Sequence, residues 1–150
     1  MTNQITKRIV LGLAACLLSA HAMAQDHTRN WEEGTVWWVT NVQTKPNMMN
    51  AYVNDLNNVW RKFVEAQIED GLAVSYKMFW MPFPRKDEPD LVLAVEYKNW
   101  AAFDAGQDYL DEQTAEVLGS LDDAQDAAMD REALRTIGSN YLFQEIQFKE

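Results

Sequence analysis

The sequence predicts an α+β domain in which a long helix packs on an antiparallel sheet. In residues 47–70 apolar side chains recur at steps of three and four, which indicates a helix with one buried face. Two shorter runs, 72–81 and 91–98, are rich in Val, Leu and aromatic residues, which is typical of strands. A helix laid on this hairpin is the expected nucleus of the fold.

The long helix and the hairpin have local boundary signals. Asn47 is the expected N-cap of the helix, and Gly71 is expected to end it in the left-handed conformation. Three prolines between the two strands predict a surface loop at 82–90. Before the helix, the β-branched and aromatic residues of 35–43 predict a first strand, preceded by a flexible lead-in at 25–34.

The second half of the chain predicts helices and a closing strand. Asn99 is expected to cap a short helix, and Ser120 with Asp123 forms a capping box in its acidic variant. The expected helices span 100–103, 108–118 and 121–137, and the last strand spans 141–149. The resulting order, βαββαβ with a four-stranded antiparallel sheet and extra C-terminal helices, is the ferredoxin-like plan.

Burial predicts how the hairpin strands pair. Aligning their apolar faces sets Tyr76 opposite Tyr97 and places Lys77 opposite Glu96 on the reverse side. Helices can cover only one face of such a sheet, yet the reverse face is also apolar. A soluble monomer rarely exposes such a patch, so a homodimer with its sheets back to back is expected. The reverse-face residues are Trp37, Val39, Phe79, Met81, Val92, Ala94, Tyr141 and Phe143.

The N-terminal segment predicts export. Lys7 and Arg8 precede an apolar run that ends in Ala-Met-Ala, the plan of a signal peptide at 1–24 cleaved after Ala24. The protein is therefore expected to be periplasmic or secreted. The alternative is a lipoprotein acylated at Cys16, since Leu13-Ala14-Ala15-Cys16 resembles a lipobox.

Composition restricts the chemistry. Cleavage would remove two positive charges, which changes the net charge from −10 to −12 and disfavours nucleic acid and anionic membranes as partners. Cleavage would also remove the single cysteine and leave His27 as the one histidine. Zinc sites and nucleophilic triads need more such residues, so no metal and no cofactor is expected. An acidic series, Asp122, Asp123, Asp126 and Asp130, is expected to be a solvated helix face.

Residues 36–104 resemble the dimeric α/β-barrel superfamily, which includes antibiotic-biosynthesis monooxygenase-like domains. The resemblance rests on VTNVQTKPN before the long helix, the strand VSYKMFWMP, and LVLAVEYKNWAAFD. The segment DREALR at 130–135 is similar to an exported bacterial subgroup of unassigned activity. The resemblance implies a homodimer whose sheets form a barrel, with a cavity between sheet and helices in each protomer. Some members oxygenate aromatic polyketides without a cofactor, using residue types that Asn57, Asn58, Trp60 and Arg61 supply here.

The candidate ligand-binding residues lie where the helix should face the sheet. The aromatic residues either fill the core or, because they have polar edges, line a small-molecule site. Two arginines one turn apart either pair with nearby acids on their own helix or bind a substrate carboxylate. The candidates are Trp60, Tyr76, Trp80, Tyr97, Arg131 and Arg135.

Three functions are compatible with this pattern. The first is an exported protein that binds a small apolar or aromatic molecule between sheet and helices. The second is a cofactor-independent monooxygenase or isomerase with a small aromatic substrate. The third is a structural or interaction protein with a filled core. Whether the space between helix and sheet is hollow separates the third from the other two.

Overall fold

A computed structural model describes residues 29–149, with the element order βααββααβ and a short 3₁₀ helix after the third strand. The predicted signal peptide, Cys16 and His27 lie outside the described residues. Among the described residues, the strands are β1 (Trp31–Thr44), β2 (Ala73–Trp80), β3 (Leu91–Tyr97) and β4 (Arg135–Phe148). The helices are α1 (Met49–Asn58), α2 (Trp60–Glu69), the 3₁₀ helix (Trp100–Asp104), α3 (Gln107–Leu118) and α4 (Leu121–Glu132).

The strands form one antiparallel sheet in the order β2-β3-β1-β4. This order, with two helical segments inserted as crossovers, is the ferredoxin-like fold, so the predicted α+β, ferredoxin-like fold is confirmed. The prediction of extra helices at the C-terminus is wrong. Helices α3 and α4 precede β4, and β4 is the last element of the described chain.

The predicted long helix is two helices that meet at Val59. This residue departs from helical geometry, with φ −122° and ψ −70°, and it follows two asparagines, which have low helix propensity. Asn47 is not the N-cap: it has φ 66°, and Met48 stands at the cap position without a side-chain hydrogen bond. Asparagine tolerates the left-handed region, so Asn47 forms the turn before the helix. Gly71 has φ 75°, which confirms its predicted role as the helix stop.

The hairpin register differs from the prediction by two residues. Tyr76 pairs with Val95 and Lys77 pairs with Ala94, and the ladder is irregular between Ala73 and Ser75. The predicted pair of Lys77 and Glu96 is therefore wrong. The Lys77 ammonium instead lies 5.2 Å from the centroid of the Trp37 ring. A shift of two residues keeps the side chains from Ser75 to Trp80 on their predicted faces. Before the irregularity the prediction is wrong: Ala73 is buried in the core, whereas Val74, which was expected to face the helices, is 49% exposed.

Strand β4 begins at Arg135, so residues 135–137, which the sequence assigned to a helix, belong to a strand. Thr136 and Ile137 are β-branched and pair with Gln43 and Val42, and the ladder bulges just beyond them. The matching strand β1 begins at Trp31, inside the predicted lead-in. The caps of the second half are confirmed: the Asn99 carboxamide accepts from the Ala101 amide at 3.0 Å, and the Ser120 hydroxyl accepts from the Asp123 amide at 3.0 Å.

Two buried clusters hold the helices on the sheet. The first cluster consists of Val42, Tyr52, Leu56, Leu91 and Leu93, and the second of Val64, Ala73 and Val95. Trp60, just after the break between α1 and α2, packs against both clusters. The first cluster joins α1 to the centre of the sheet, and the second joins α2 to the hairpin.

The face away from the helices carries the apolar residues that the sequence assigned to it. Pairing across β1 sets Trp37 opposite Phe143 and Val39 opposite Tyr141. Phe143 is 52% exposed and Tyr141 is 49% exposed, and their rings lie 5.8 Å apart. We call this surface, with Phe79 at its β2 edge, the open face.

Candidate functional site

A cavity of about 550 Å³ lies between the sheet and the helices. Its floor is the helix side of β1 and β3, and its walls come from α1, α2, the 3₁₀ helix, α3, α4 and the start of β4. Most of the wall is aliphatic or aromatic. The apolar lining residues are Trp38, Leu56, Val59, Trp60, Phe63, Val64, Leu72, Leu93, Val95, Ala102, Phe103, Ala105, Leu110 and Ile137.

An aromatic group closes one side of the cavity. Phe103, on the 3₁₀ helix, lies with its ring centroid 4.8 Å from that of Tyr97 and 5.9 Å from that of Trp38. Asn99 starts this helix, so its cap fixes where Phe103 stands against the sheet. On the opposite wall Trp60 meets Tyr76 edge to face, with centroids 5.3 Å apart. These tilted contacts are the favourable geometry for aromatic pairs.

Charged residues gather at one end of the cavity, where β1 ends and α1 begins. The Arg131 Nε donates to the Asp55 Oδ2 at 2.7 Å, and both side chains are about one-fifth exposed. Burial raises the pKa of Tyr52 above its ordinary value, although the neighbouring Arg135 guanidinium acts in the opposite direction. In the described part of the chain, the buried Arg131 Nη2 and Arg135 Nε have no hydrogen-bond partner.

At the other end, the cavity is lined by the neutral side chains of Gln67, Tyr97 and Tyr109. The Tyr97 hydroxyl donates to the Gln67 Oε1 at 2.9 Å, and burial raises the pKa of Tyr97. The Tyr109 hydroxyl donates to the Asp70 Oδ2 at 2.7 Å, and burial, followed by this hydrogen bond, raises the pKa of Tyr109. Gln113 joins this group through its Nε2. Both tyrosines thus keep their protons well above neutral pH.

Four of the six predicted ligand-binding residues line the cavity: Trp60, Tyr97, Arg131 and Arg135. Tyr76 lies behind Trp60 in the second core cluster and does not line it. Trp80 is 68% exposed and borders a separate shallow depression with Met49, Asn50, Val53, Met78 and Leu91. Trp80 is exposed because β2 is an edge strand, which the helices do not cover at its end.

The structure corrects the predicted arginine contacts. Arg131 does not pair with an acid on its own helix but with Asp55 on α1, 76 positions away in sequence. Asp55 and Tyr52 were missed as site residues because their spacing places them on the ordinary buried face of α1. The sequence held one sign of their role: Asp55, an acidic residue one turn from Tyr52, lies on the side of the helix that faces the sheet.

Other sequence candidates lie outside the cavity. Asn57, Asn58 and Arg61, the types implied by the resemblance to cofactor-free oxygenases, are exposed, and Arg61 pairs with Glu65. The acidic series on α4 is exposed, as predicted. Within residues 29–149, no cluster of His, Cys, Asp or Glu is placed to hold a metal ion, and no helix is long and apolar enough to cross a membrane.

The sequence matches no family model and no curated protein. Among solved structures, a dimeric ferredoxin-like protein from an uncultured marine organism is 9% identical with a TM-score of 0.48, over 79% of this chain and 91% of that one. A second dimeric ferredoxin-like protein from an uncultured marine organism is 14% identical with a TM-score of 0.43, over 79% and 96%. A protein of Shewanella oneidensis is 15% identical with a TM-score of 0.40, over 78% and 96%.

Proposed function

We propose that this protein binds a small, largely apolar or aromatic molecule in the cavity between its sheet and its helices. The observation that carries the proposal is the cavity itself, about 550 Å³ with predominantly apolar walls. Small-molecule sites are typically concave, mostly apolar and about 300–1,000 Å³ in volume, with a few polar groups that fix orientation. A filled core would leave no such space, so a purely structural role is the weaker alternative.

Binding is a better account of the site than catalysis. Among the described cavity-lining residues Asp55 is the one carboxylate, and Arg131 already engages it. The two lining tyrosines nearest the neutral end have raised pKa values, so neither is a base at neutral pH. Of the four residues that the resemblance to cofactor-free monooxygenases implies, Trp60 alone lines the cavity.

We further propose that the protein is a homodimer joined through the open face. Phe79, Tyr141 and Phe143 each expose about half of their surface there, on a sheet whose other face the helices cover. An isologous contact would place the same patch of both copies together and remove it from water. Two sheets packed in this way form the barrel that the sequence resemblance implies.

The proposed location is the periplasm or the outside of the cell. This rests on the charged, apolar and small-residue order of residues 1–24, with cleavage after Ala24. The intact mass of the exported protein would then be that of a chain that begins at Gln25. A mass that includes a diacylglycerol on Cys16 would instead make it a lipoprotein.

A cavity-filling substitution tests the binding proposal. Ala102 lines the cavity, whereas its neighbour Ala101 is exposed on the same 3₁₀ helix. With the neutral fluorophore N-phenylnaphthylamine as probe, the wild type should bind, and Ala102→Trp should weaken binding by about 10-fold or more. Ala101→Trp is the matched control and should leave affinity unchanged.

Native mass spectrometry of the purified protein is the second readout, since it reports the dimer and any retained molecule together. Two results together would refute a ligand role for the cavity. The purified protein would carry no bound molecule, and the fluorophore would either not bind or bind equally to Ala101→Trp and Ala102→Trp.

A further inference from the structure

From the charged end of the cavity we infer that the ligand is a monocarboxylate with an apolar body, whose carboxylate contacts Arg131 and Arg135. The inference rests on the proposed function, because it specifies the chemistry of a molecule bound in that cavity. Its support comes from charge, from hydrogen-bonding capacity and from the arrangement of polar and apolar walls.

The charge of the cavity wall has the opposite sign to that of the whole chain. The wall holds three charged side chains: Asp55 contributes −1, and Arg131 and Arg135 contribute +1 each, which leaves +1. The full sequence has a formal net charge of −10. A surplus positive charge in a partly desolvated cavity of an acidic protein favours an anion, because charges interact more strongly where water is excluded.

Hydrogen-bonding capacity points in the same direction. A guanidinium has five N–H donors and no acceptor. Arg131 uses its Nε for Asp55, while its buried Nη2 finds no partner among the described residues, and neither does the Nε of Arg135. Both atoms are covered by neighbouring protein atoms, so these two long side chains would have to turn to present them to a ligand. A carboxylate can accept two parallel N–H bonds from one such group.

The net charge of +1 on the cavity wall favours a singly charged anion over a doubly charged one. A monoanion neutralises the cavity, whereas a doubly charged phosphate would leave an excess negative charge next to Asp55. Arg135 is the more available partner, because its contact is the neutral Tyr52 hydroxyl and not a carboxylate. Carboxylate is therefore the anion that suits both the charge and the fork geometry of the site.

The position of the arginines determines how the ligand lies. Arg135 pairs with Thr44 at one end of β1, and Tyr97 pairs with Val36 towards the other end. Between these ends the cavity is lined by aliphatic and aromatic side chains. The carboxylate therefore lies at the Arg135 end, and the apolar body extends towards Phe103 and Tyr97.

Three probes of equal length separate this inference from the broader proposal. The wild type is titrated by calorimetry at neutral pH with decanoate, decanol and decylamine, which share an alkyl chain and differ in the charge of one end. Charge-assisted hydrogen bonds should make decanoate bind about 10-fold or more tightly than decanol. Decylamine should bind most weakly, because its ammonium would meet the guanidinium groups.

Variants locate the effect. Arg135→Gln should remove most of the preference for decanoate over decanol, measured within the same variant, whereas Asp55→Asn should strengthen decanoate binding by releasing Arg131. Arg85→Gln removes the same charge from an exposed loop residue and should change nothing. Near-ultraviolet circular dichroism confirms that each variant is folded, and the three wild-type titrations test the inference even if one variant is not.

The failures are distinguishable. Equal affinity for decanoate and decanol would overturn the carboxylate inference and leave the apolar cavity proposal intact. No binding of any of the three probes, together with no binding of N-phenylnaphthylamine, would overturn both.

Discussion

The two faces of the sheet carry similar residues but differ in their contact with water. On the helix side, Val36 and Val42 of β1 are 0% exposed. On the open face, Tyr141 and Phe143 of the neighbouring strand are about half exposed. An apolar side chain is stabilising only when something covers it. The chain supplies a cover for one face, and in the proposed homodimer a second copy would cover the other.

The two faces also differ in how far the rest of the chain covers them. On the helix side the cover is partial, because the two helical segments leave a cavity over Trp38 and Tyr97. On the open face no helix covers the sheet, and Phe79, Tyr141 and Phe143 remain about half exposed in a single chain. Substitutions on the helix side should therefore change folding stability and ligand affinity, whereas those on the open face should change association.

The largest expected effect is on the helix side. Leu56 is 3% exposed in the first core cluster, so Leu56→Ala should lower the free energy of unfolding by about 2–5 kcal/mol. Urea denaturation at a fixed protein concentration measures it. Leu121→Ala is the control, because Leu121 is 51% exposed on α4 and its removal should cost no more than about 0.5 kcal/mol. Equal losses in the two variants would show that the first cluster is not the core.

The next effect is on association. Phe143→Arg places a charge in the proposed interface and should weaken the dimer by at least about 2 kcal/mol, which is about a 30-fold rise in its Kd. Sedimentation equilibrium over a dilution series measures it. Phe148→Arg is the control, since Phe148 lies on the same strand but pairs with Trp31 at the end of the sheet and is already 90% exposed. A wild type that sediments as a monomer would refute the interface.

Sequence information was sufficient where the determinant is local. Gly71 and Ser120 were predicted correctly because a helix stop and a cap depend on a few neighbouring residues. Most strand faces were also predicted correctly, since alternation has a period of two, but at the start of β2 Ala73 is buried in place of Val74. That same period made the hairpin register ambiguous: sliding β2 by two residues leaves its faces unchanged, and no residue near Ala73 signals the irregularity.

Residues of the candidate site were predicted correctly only where the pattern of a single helix or strand determines their position. Trp60 lies in the middle of the apolar stripe and does line the cavity. Trp80 has an equally apolar pattern, but the sheet order leaves it on an edge strand, and order is not encoded in alternation. The contact of Arg131 with Asp55 joins elements far apart in sequence, so it depends on tertiary packing that no local pattern contains.

Trp60 and Trp80 allow the next comparison on the helix side. Trp60 packs against both core clusters but also borders the cavity, so Trp60→Ala should cost about 2 kcal/mol, below the roughly 3–5 kcal/mol of a fully enclosed tryptophan. It should also change the affinity for N-phenylnaphthylamine. Trp80→Ala should alter neither by a comparable amount, because Trp80 is 68% exposed and outside the cavity. Thermal unfolding with and without the probe measures both effects, and identical behaviour of the two variants would contradict the assignment of Trp60 to the wall.

The smallest expected effect concerns the neutral end of the cavity. Tyr97→Phe removes the hydrogen bond to Gln67 and should lower the free energy of unfolding by about 1 kcal/mol at neutral pH. Burial raises the pKa of Tyr97 above the ordinary value of 10.0, so in alkali the unfolded chain loses this proton first. The contribution of Tyr97 is therefore fully present below pH 10.0 and is lost as the pH rises through the folded-state pKa. In the phenylalanine variant the decline of stability above that pH should be shallower, by at most about 1.4 kcal/mol per pH unit, while Tyr52 and Tyr109 continue to contribute to it. Urea titrations across the alkaline range measure the slope, and a slope equal to that of the wild type would show that Tyr97 titrates alike in the folded and unfolded chain.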